Sequence, residues 1–398
     1  MNLMHTRFIH LKQALAGYLK TGIPLVEFDG NNIIPSLTAD DIGIYILIPK
    51  IATFFNFSIE HATNIFFYTI LLVPALIGTL GFWKYYEQLT HKILASFILI
   101  LLCRQAFSLG DVYLSYYACP IMLIPWALYL TKKDRFNNNI KLYSFCAGFI
   151  TGFFQFIRAF SGIDTALFIL SIFFFKLSTF SYKKYSVLTV LFLCGVGIPS
   201  LYFNQEYKKS ISYFQNFHNN LAIGNNKHIF WHNIYIGFGL LKPGNNDNIE
   251  YNDNFGFSVA QKEDPMVIEN TIAYEEIIKN KTIGLVKNNL QFVLFTIFAK
   301  IGIMLFYLFK YANIGLFFAL IYRKPWYLEL PFWISLAFYA LFPILTMPTL
   351  PEYSLGFITC AALYGLVSIN YAIQQGFCND IKMFFRRIIM TFKSLKTT

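Results

Sequence analysis

Charge is scarce in this chain. Only 13% of its 398 residues are Asp, Glu, Lys or Arg, about half the share of a soluble domain. That deficit excludes a water-exposed globular fold for most of the length. Cysteine is sparse as well: Cys103, Cys119, Cys146, Cys194, Cys360 and Cys378 all lie in or beside apolar runs. None has C-x-x-C spacing, so they read as small buried apolar residues, with no disulfide framework and no zinc site. A glycine-rich nucleotide loop, a nucleophile elbow and the kinase motifs are missing. So are internal repeats, low-complexity tracts and heptads. Residues 1–20 lack a continuous apolar core, so no cleavable signal peptide is expected.

What the chain has is apolar length. It is 56% hydrophobic and 19% aromatic. Apolar runs fall near 62–83, 93–109, 112–131, 141–157, 164–180, 186–203, 302–322, 326–346 and 353–373, each close to the length that crosses about 30 Å of hydrocarbon as a helix. In lipid the backbone must satisfy its own hydrogen bonds, which makes those runs helices. The expected fold is an all-α polytopic membrane protein with about nine or ten transmembrane helices, interfacial helices and a small extracytoplasmic domain. A shorter run, 43–57, is interrupted by Pro49 and Lys50 and reads as a helix lying along the membrane. The stretch 283–300 is apolar with a mixed face.

The formal net charge is +11, and its distribution argues for a bilayer rather than for nucleic acid as partner. Lys132, Lys133, Arg135 and Lys141 share one turn. Lys176, Lys183 and Lys184 share another, Arg323 and Lys324 a third, and the tail carries Lys382, Arg386, Arg387, Lys393 and Lys396. The alternate turns are neutral or acidic. The positive-inside rule then places the C-terminus in the cytoplasm. It places residues 204–290 outside, as a small ordered unit that is partly helical around 265–282. Three regions follow: a membrane bundle at 1–203, the outer unit at 204–290, and the last membrane helices with a basic tail at 291–398.

Polar side chains gather toward the outer side. Asp40 and Asp41 precede the interfacial run. Adjacent carboxylates repel, which raises one pKa and suits a general base, although Thr38 or Asp40 could equally cap the helix. Asp111, in Ser108-Leu109-Gly110-Asp111, could bind a sugar hydroxyl or a divalent cation, or could cap the next helix. Arg158 is placed to grip a phosphate through two N–H groups, or to pair with Asp164. His228 and His232 stand four apart in a segment that also holds Trp231 and Tyr235, whose flat faces suit a sugar or a lipid phosphate. As a metal pair they lack the following Glu. Lys300 interrupts an apolar run, where a charge is a functional candidate by default. Tyr353 follows the rigid turn at 347–352.

At these residues the chain resembles glycosyltransferases of the GT-C superfold, membrane enzymes that use polyprenyl-phosphate-linked sugars. The resemblance rests on Asp40-Asp41 with Tyr45 ahead of an interfacial helix, on Asp111 in the next outer turn, and on Trp231-His232-Asn233-Ile234-Tyr235-Ile236-Gly237-Phe238-Gly239 followed by Asp253. The chain departs in having no span before the acidic motif and in carrying its outer unit between spans. The resemblance implies inverting sugar transfer from a polyprenyl-phosphate donor to a lipid or glycan acceptor, on the outer face of a bacterial inner membrane. Asp41 or Asp40 would be the base. Arg158, Lys300 and His232 would hold the donor phosphate, and Asp111, Trp231, Tyr235 and Tyr353 would line the sugar and acceptor site. Asp41 and Asp111 form a candidate Mg or Mn site, though the chemistry does not require one. Two alternatives share the topology: a polysaccharide polymerase or ligase, and a lipid-linked sugar transporter or flippase.

Overall fold

The computed structural model describes residues 7–36, 41–132, 136–177, 182–217, 230–268, 271–346 and 349–377. Among these the chain is almost entirely helical. It opens with α1 (Phe8–Thr21), ended by Gly22 in the left-handed conformation. A short antiparallel hairpin follows, β1 (Val26–Phe28) and β2 (Ile33–Pro35), pairing Glu27 with Ile34. Next come α2 (Ile42–Phe55), α3 (Ile59–Tyr85), α4 (Leu89–Leu109), α5 (Leu114–Lys132), α6 (Asn138–Ile157), α7 (Ile163–Leu177) and α8 (Tyr182–Phe217). An outer module holds α9 (Phe230–Gly237), α10 (Asp253–Glu263) and α11 (Ile272–Asn288). The chain returns through α12 (Leu290–Ala312), α13 (Ile314–Ile321), α14 (Trp326–Leu345) and α15 (Leu355–Gln374).

Eight of these helices are long and apolar enough to cross a membrane: α3, α4, α5, α6, α8, α12, α14 and α15. The protein is therefore an all-α, multi-pass membrane protein. α5 and α15 are its inner pair, each 83% buried along its apolar window. Large side chains such as Leu76, Ile93, Leu193 and Phe309 are exposed on the outer helices, where acyl chains rather than water meet them. α7 has only 15 residues, yet it runs antiparallel to α14 along its whole length. Thr165 meets Tyr339 through their hydroxyls at 2.7 Å, Phe168 packs on Phe332, and Phe175 reaches Trp326 at the other end.

Glycine contacts fix the register of the bundle. Gly148 abuts the backbone of Phe192, and Gly152 lies where a Cβ would sit 3.0 Å from the Val196 Cα. α6 and α8 are thus parallel, and Ile157 ends level with Leu201. α8 continues well past that level, because its 36 residues span about 54 Å at 1.5 Å per residue. The expected run 186–203 is only its apolar part. The protruding end carries the N-terminal cap: Ser210 Oγ donates to the Leu25 carbonyl at 3.3 Å.

α2 lies across the bundle rather than through it. Gly43 near its start touches the Phe156 backbone at the end of α6. One face further on, Lys50 Nζ donates to Tyr202 Oη at 3.1 Å and to Glu206 Oε2 at 2.5 Å, at the same level on α8. At 14 residues α2 is shorter than the helices long enough to cross a membrane.

The expected 302–322 span is crossed by two pieces. Tyr307 Oη donates to the Thr349 carbonyl at 3.1 Å and Met304 faces Ser354, so this part of α12 is level with the start of α15. Ala312 backs onto Gly365, halfway along α15, where a Cβ would come within 2.9 Å of its Cα. The helix breaks there at Asn313, with φ 49°, and α13 completes the crossing. The upper part of α12 stands outside the bundle. The 283–300 stretch is not one element: it divides at Asn289, whose side chain caps α12 by accepting from Phe292 N at 3.3 Å. The expected helical part around 265–282 is largely α11, which begins at Ile272. The module has its own core, built from residues including Tyr235, Phe238, Tyr274, Ile278 and Phe292.

Two outcomes test this architecture. A side chain at Gly148 would collide with the α8 backbone, so Gly148→Val should lower stability by about 1–3 kcal/mol. The control Gly284→Ala, with open space around it, should change little, both read as melting temperatures of detergent-solubilised protein. In a cysteine-free background, single cysteines at Asp29 and Asn56 should react with an impermeant thiol reagent from one side of sealed vesicles, and a cysteine at Glu87 from the other.

Candidate functional site

Four chain junctions meet at one face of the bundle. Arg7 immediately precedes α1. Asp41 occupies the N-cap position of α2 but makes no side-chain cap hydrogen bond, so capping does not account for it. Asp111 sits in the turn after α4 with φ 60°, next to Gly110 with φ 61°. Arg158 ends α6 in an extended conformation, its amide donating to the Phe154 carbonyl.

Arg7 joins the two acids. Its Nε donates to Asp41 Oδ2, and its Nη1 donates to Asp111 Oδ2 at 2.6 Å. Arg158 Nη1 approaches Asp41 Oδ2 to 4.0 Å. Asp41 is 4% exposed and Arg158 also 4%. Burial works against the charge of Arg7, but Coulomb attraction to Asp41 and Asp111 outweighs it and lifts the guanidinium pKa above its ordinary value. Asp111 Oδ1 accepts from Val112 N at 2.6 Å. Both Asp111 oxygens and Asp41 Oδ2 are thus turned to Arg7 or to the backbone, and a metal bridging this pair would take the place of Arg7. Among the described residues there is no group of three or more His, Cys, Asp or Glu side chains arranged for a metal.

An aromatic ladder leads away from this cluster. The Arg158 guanidinium lies 5.2 Å from the Tyr113 ring centroid. Tyr113 meets Tyr353 edge to face at 5.1 Å, and Tyr251 adjoins Tyr353 in turn. Burial pushes Tyr251 up to about 12, so the ladder stays protonated and can donate.

The outer module closes over the ladder. Glu275 accepts from the amides of Phe230, Trp231 and His232 at 3.1, 2.9 and 3.2 Å, anchoring the N-terminus of α9. His232 is 1% exposed and both ring nitrogens are engaged: Nδ1 with Tyr274 Oη and Nε2 with Asp253 Oδ1 at 3.3 Å. Gly256 makes room for the ring, since a Cβ there would lie 2.7 Å from its Cε1. His232 is therefore not the expected phosphate donor at the mouth. It positions Asp253, whose side chain is 74% exposed. The His232 hydrogen bond holds the Asp253 carboxyl below its ordinary pKa, with further help from Arg158 and Arg7.

Beside the ladder runs an apolar groove of about 520 Å³ between the outer module and α14. Phe230, Ile234, Phe338 and Leu341 form its walls, with Trp231 and Tyr353 at the polar edge. Phe338, Leu341 and Leu345 are exposed on the lipid side of α14, so the groove opens to acyl chains. Lys300 is 2% exposed. Its ammonium lies beside Gly237, 5.9 Å from the Phe238 ring centroid, and Phe238 and Thr346 belong to the groove wall.

Asp41, Asp111, Arg158 and Tyr353 thus meet directly or through one neighbour. Trp231 and Lys300 attend the groove. Tyr235 is buried in the module core, 5% exposed, and stacks on Phe255 at 6.4 Å, so it does not line the site. The paired reading of Arg158 with Asp164 also gives way: Asp164 lines the groove while Arg158 turns to Asp41. Asp40 and His228 lie outside the described residues. Arg7, Tyr113 and Tyr251 complete the cluster without having been singled out in the sequence. No family model, curated protein or solved structure matches this chain.

Removing the bridging guanidinium leaves two largely buried carboxylates facing each other. Arg7→Gln should destabilise the protein by about 3–5 kcal/mol, read as a fall in melting temperature. Adding Asp111→Asn should recover part of the loss, a non-additivity that two independent sites would not show.

Proposed function

We propose that this protein is a membrane glycosyltransferase of GT-C type, moving a sugar from a polyprenyl-phosphate donor to a lipid or glycan acceptor with inversion. The observation that carries the reading is the apolar groove open to lipid that ends at Tyr353, one ring away from Tyr113 and Arg158. A lipid-linked sugar needs that arrangement: a slot for the chain, cations for the phosphate and a carboxylate for the hydroxyl.

In this reading the polyprenyl chain enters along Phe338 and Leu341. Arg158, with Lys300 further along the wall, takes the phosphate charge that develops as the bond from the anomeric carbon to the phosphate oxygen breaks. Asp41 accepts the proton of the acceptor hydroxyl as its oxygen bonds to that carbon from the opposite side. Arg7 supplies the positive charge between Asp41 and Asp111. A Mg or Mn ion displacing Arg7 is the alternative way to supply it. The site face would be extracytoplasmic and the membrane a bacterial inner membrane, with a cytoplasmic C-terminus, because Lys132, Lys176, Lys183, Lys184 and Arg323 crowd the other ends of the helices.

A second reading, a lipid-linked sugar transporter or flippase, has one feature in its favour: the break of α12 and α13 at Asn313 in mid-membrane. Protein in nanodiscs supplied with a radiolabelled polyprenyl-phosphate sugar and a lipid acceptor separates the two. Transfer should occur and should fall about 10²–10⁴-fold in Asp41→Asn and about 10²–10³-fold in Arg158→Gln, with chelator leaving it intact. Movement of the donor across sealed vesicles without transfer would overturn the enzyme. Loss of transfer on chelation would place a cation where Arg7 stands.

A further inference from the structure

A second cavity, of about 860 Å³, lies between α4 and the break joining α12 to α13, with α15 as its floor. It shares no lining residue with the apolar groove. Its polar lining is Arg104, Gln105 and Ser108 from α4 and Lys310, Tyr311 and Asn313 from the break. No acidic residue is among the lining residues. Arg104 and Lys310 are exposed, and neither forms an ion pair with a carboxylate among the described residues. The Lys310 ammonium rests 5.3 Å from the Tyr311 ring centroid.

Two like charges on one cavity of a membrane bundle repel, and each is costly at that depth. Helical side chains lean toward the N-terminus of their helix. α4 runs toward the site face and the lower half of α12 runs away from it, so Arg104 and Lys310 lean toward each other. Arg104 lies five residues before Leu109, about 8 Å below the end of α4, in the leaflet on the site face. Leu101, Phe309 and Ile314 are exposed beside the opening, on surfaces that meet acyl chains. A small anion from water would have to pass this apolar rim. A phosphate attached to acyl chains brings its own apolar part to it.

We propose that this cavity binds the phosphate of an anionic membrane lipid, with Arg104 and Lys310 sharing its charge and the acyl chains lying along Leu101 and Ile314. The site is separate from the donor groove and does not depend on sugar transfer.

The test uses the full chain in detergent, titrated with a fluorescent phosphatidylglycerol, with phosphatidylcholine carrying the same label, and with inorganic phosphate as competitor. Phosphatidylglycerol should bind at least about tenfold more tightly than phosphatidylcholine, because charge-assisted contacts to phosphate are the strong ones. Arg104→Gln with Lys310→Gln should abolish that preference, and Arg104→Lys with Lys310→Arg should keep it. Lys92→Gln, at the other end of α4, should have no effect. Equal binding of the two lipids by the unaltered protein overturns the proposal, whether or not the double variant folds. So does a folded double variant that keeps the preference. Displacement of the labelled lipid by millimolar inorganic phosphate assigns the site to free phosphate and overturns the lipid. Transfer activity is not read in this titration, so its failure leaves the donor groove untouched.

Discussion

The guanidinium of Arg7 between Asp41 and Asp111 is the interaction on which the site face depends. Two carboxylates from junctions far apart in the chain are brought together in a place nearly closed to water, and only a positive charge between them makes that tolerable. The pair spans 34 positions on one side and 104 on the other. A single side chain therefore ties the N-terminal cap to the turn between α4 and α5. Arg158 adds a second cation to the same cluster from the end of α6, its Nη1 4.0 Å from Asp41 Oδ2. Arg7 and Arg158 thus offset the charges of Asp41 and Asp111 at this face.

The scaffold that holds this cluster follows from close backbone approach. α6 and α8 touch through Gly148, Gly152 and Gly195, and α13 meets α15 through Gly315 and Gly365. Small residues at such contacts let helices pack by dispersion where lipid removes any hydrophobic advantage of association. Because α6 and α8 are locked in parallel register, their upper ends form a step on which α2 lies flat. That step sets the height of Asp41 beside Arg158.

The apolar runs were legible because lipid leaves only one way to satisfy a backbone. Each long run became helical near its expected place, 302–322 as two pieces, and the run with Pro49 and Lys50 became the shorter apolar helix α2. Helix ends outside the bilayer were not legible, since the last turns of α8 are polar and gain their order from the hairpin packed on them. The upper half of α12 read as apolar with a mixed face because part of it, Phe292 and Val293, is core to the outer module. Asp41, Asp111 and Arg158 stood out as charges at the ends of apolar runs. Arg7 did not, because a lone basic residue ahead of a short amphipathic helix carries no local mark of partners 34 and 104 positions away. His232 was visible, but its role was not: spacing cannot show that both ring nitrogens are taken. Tyr235 was misplaced for a related reason, since an aromatic beside polar residues reads alike whether it faces a ligand or a small core.

α12 is one uninterrupted rod from Leu290 to Ala312, and its two ends belong to different bodies. Phe292 and Val293 are part of the core of the outer module, while Ala312 is wedged on Gly365 in the middle of the bundle. Between those ends Met304 and Tyr307 contact Ser354 and Thr349 beside the start of α15. One helix therefore lines both hollows, with Val293 and Ile297 on the apolar groove and Lys310, Tyr311 and Ala312 on the second cavity.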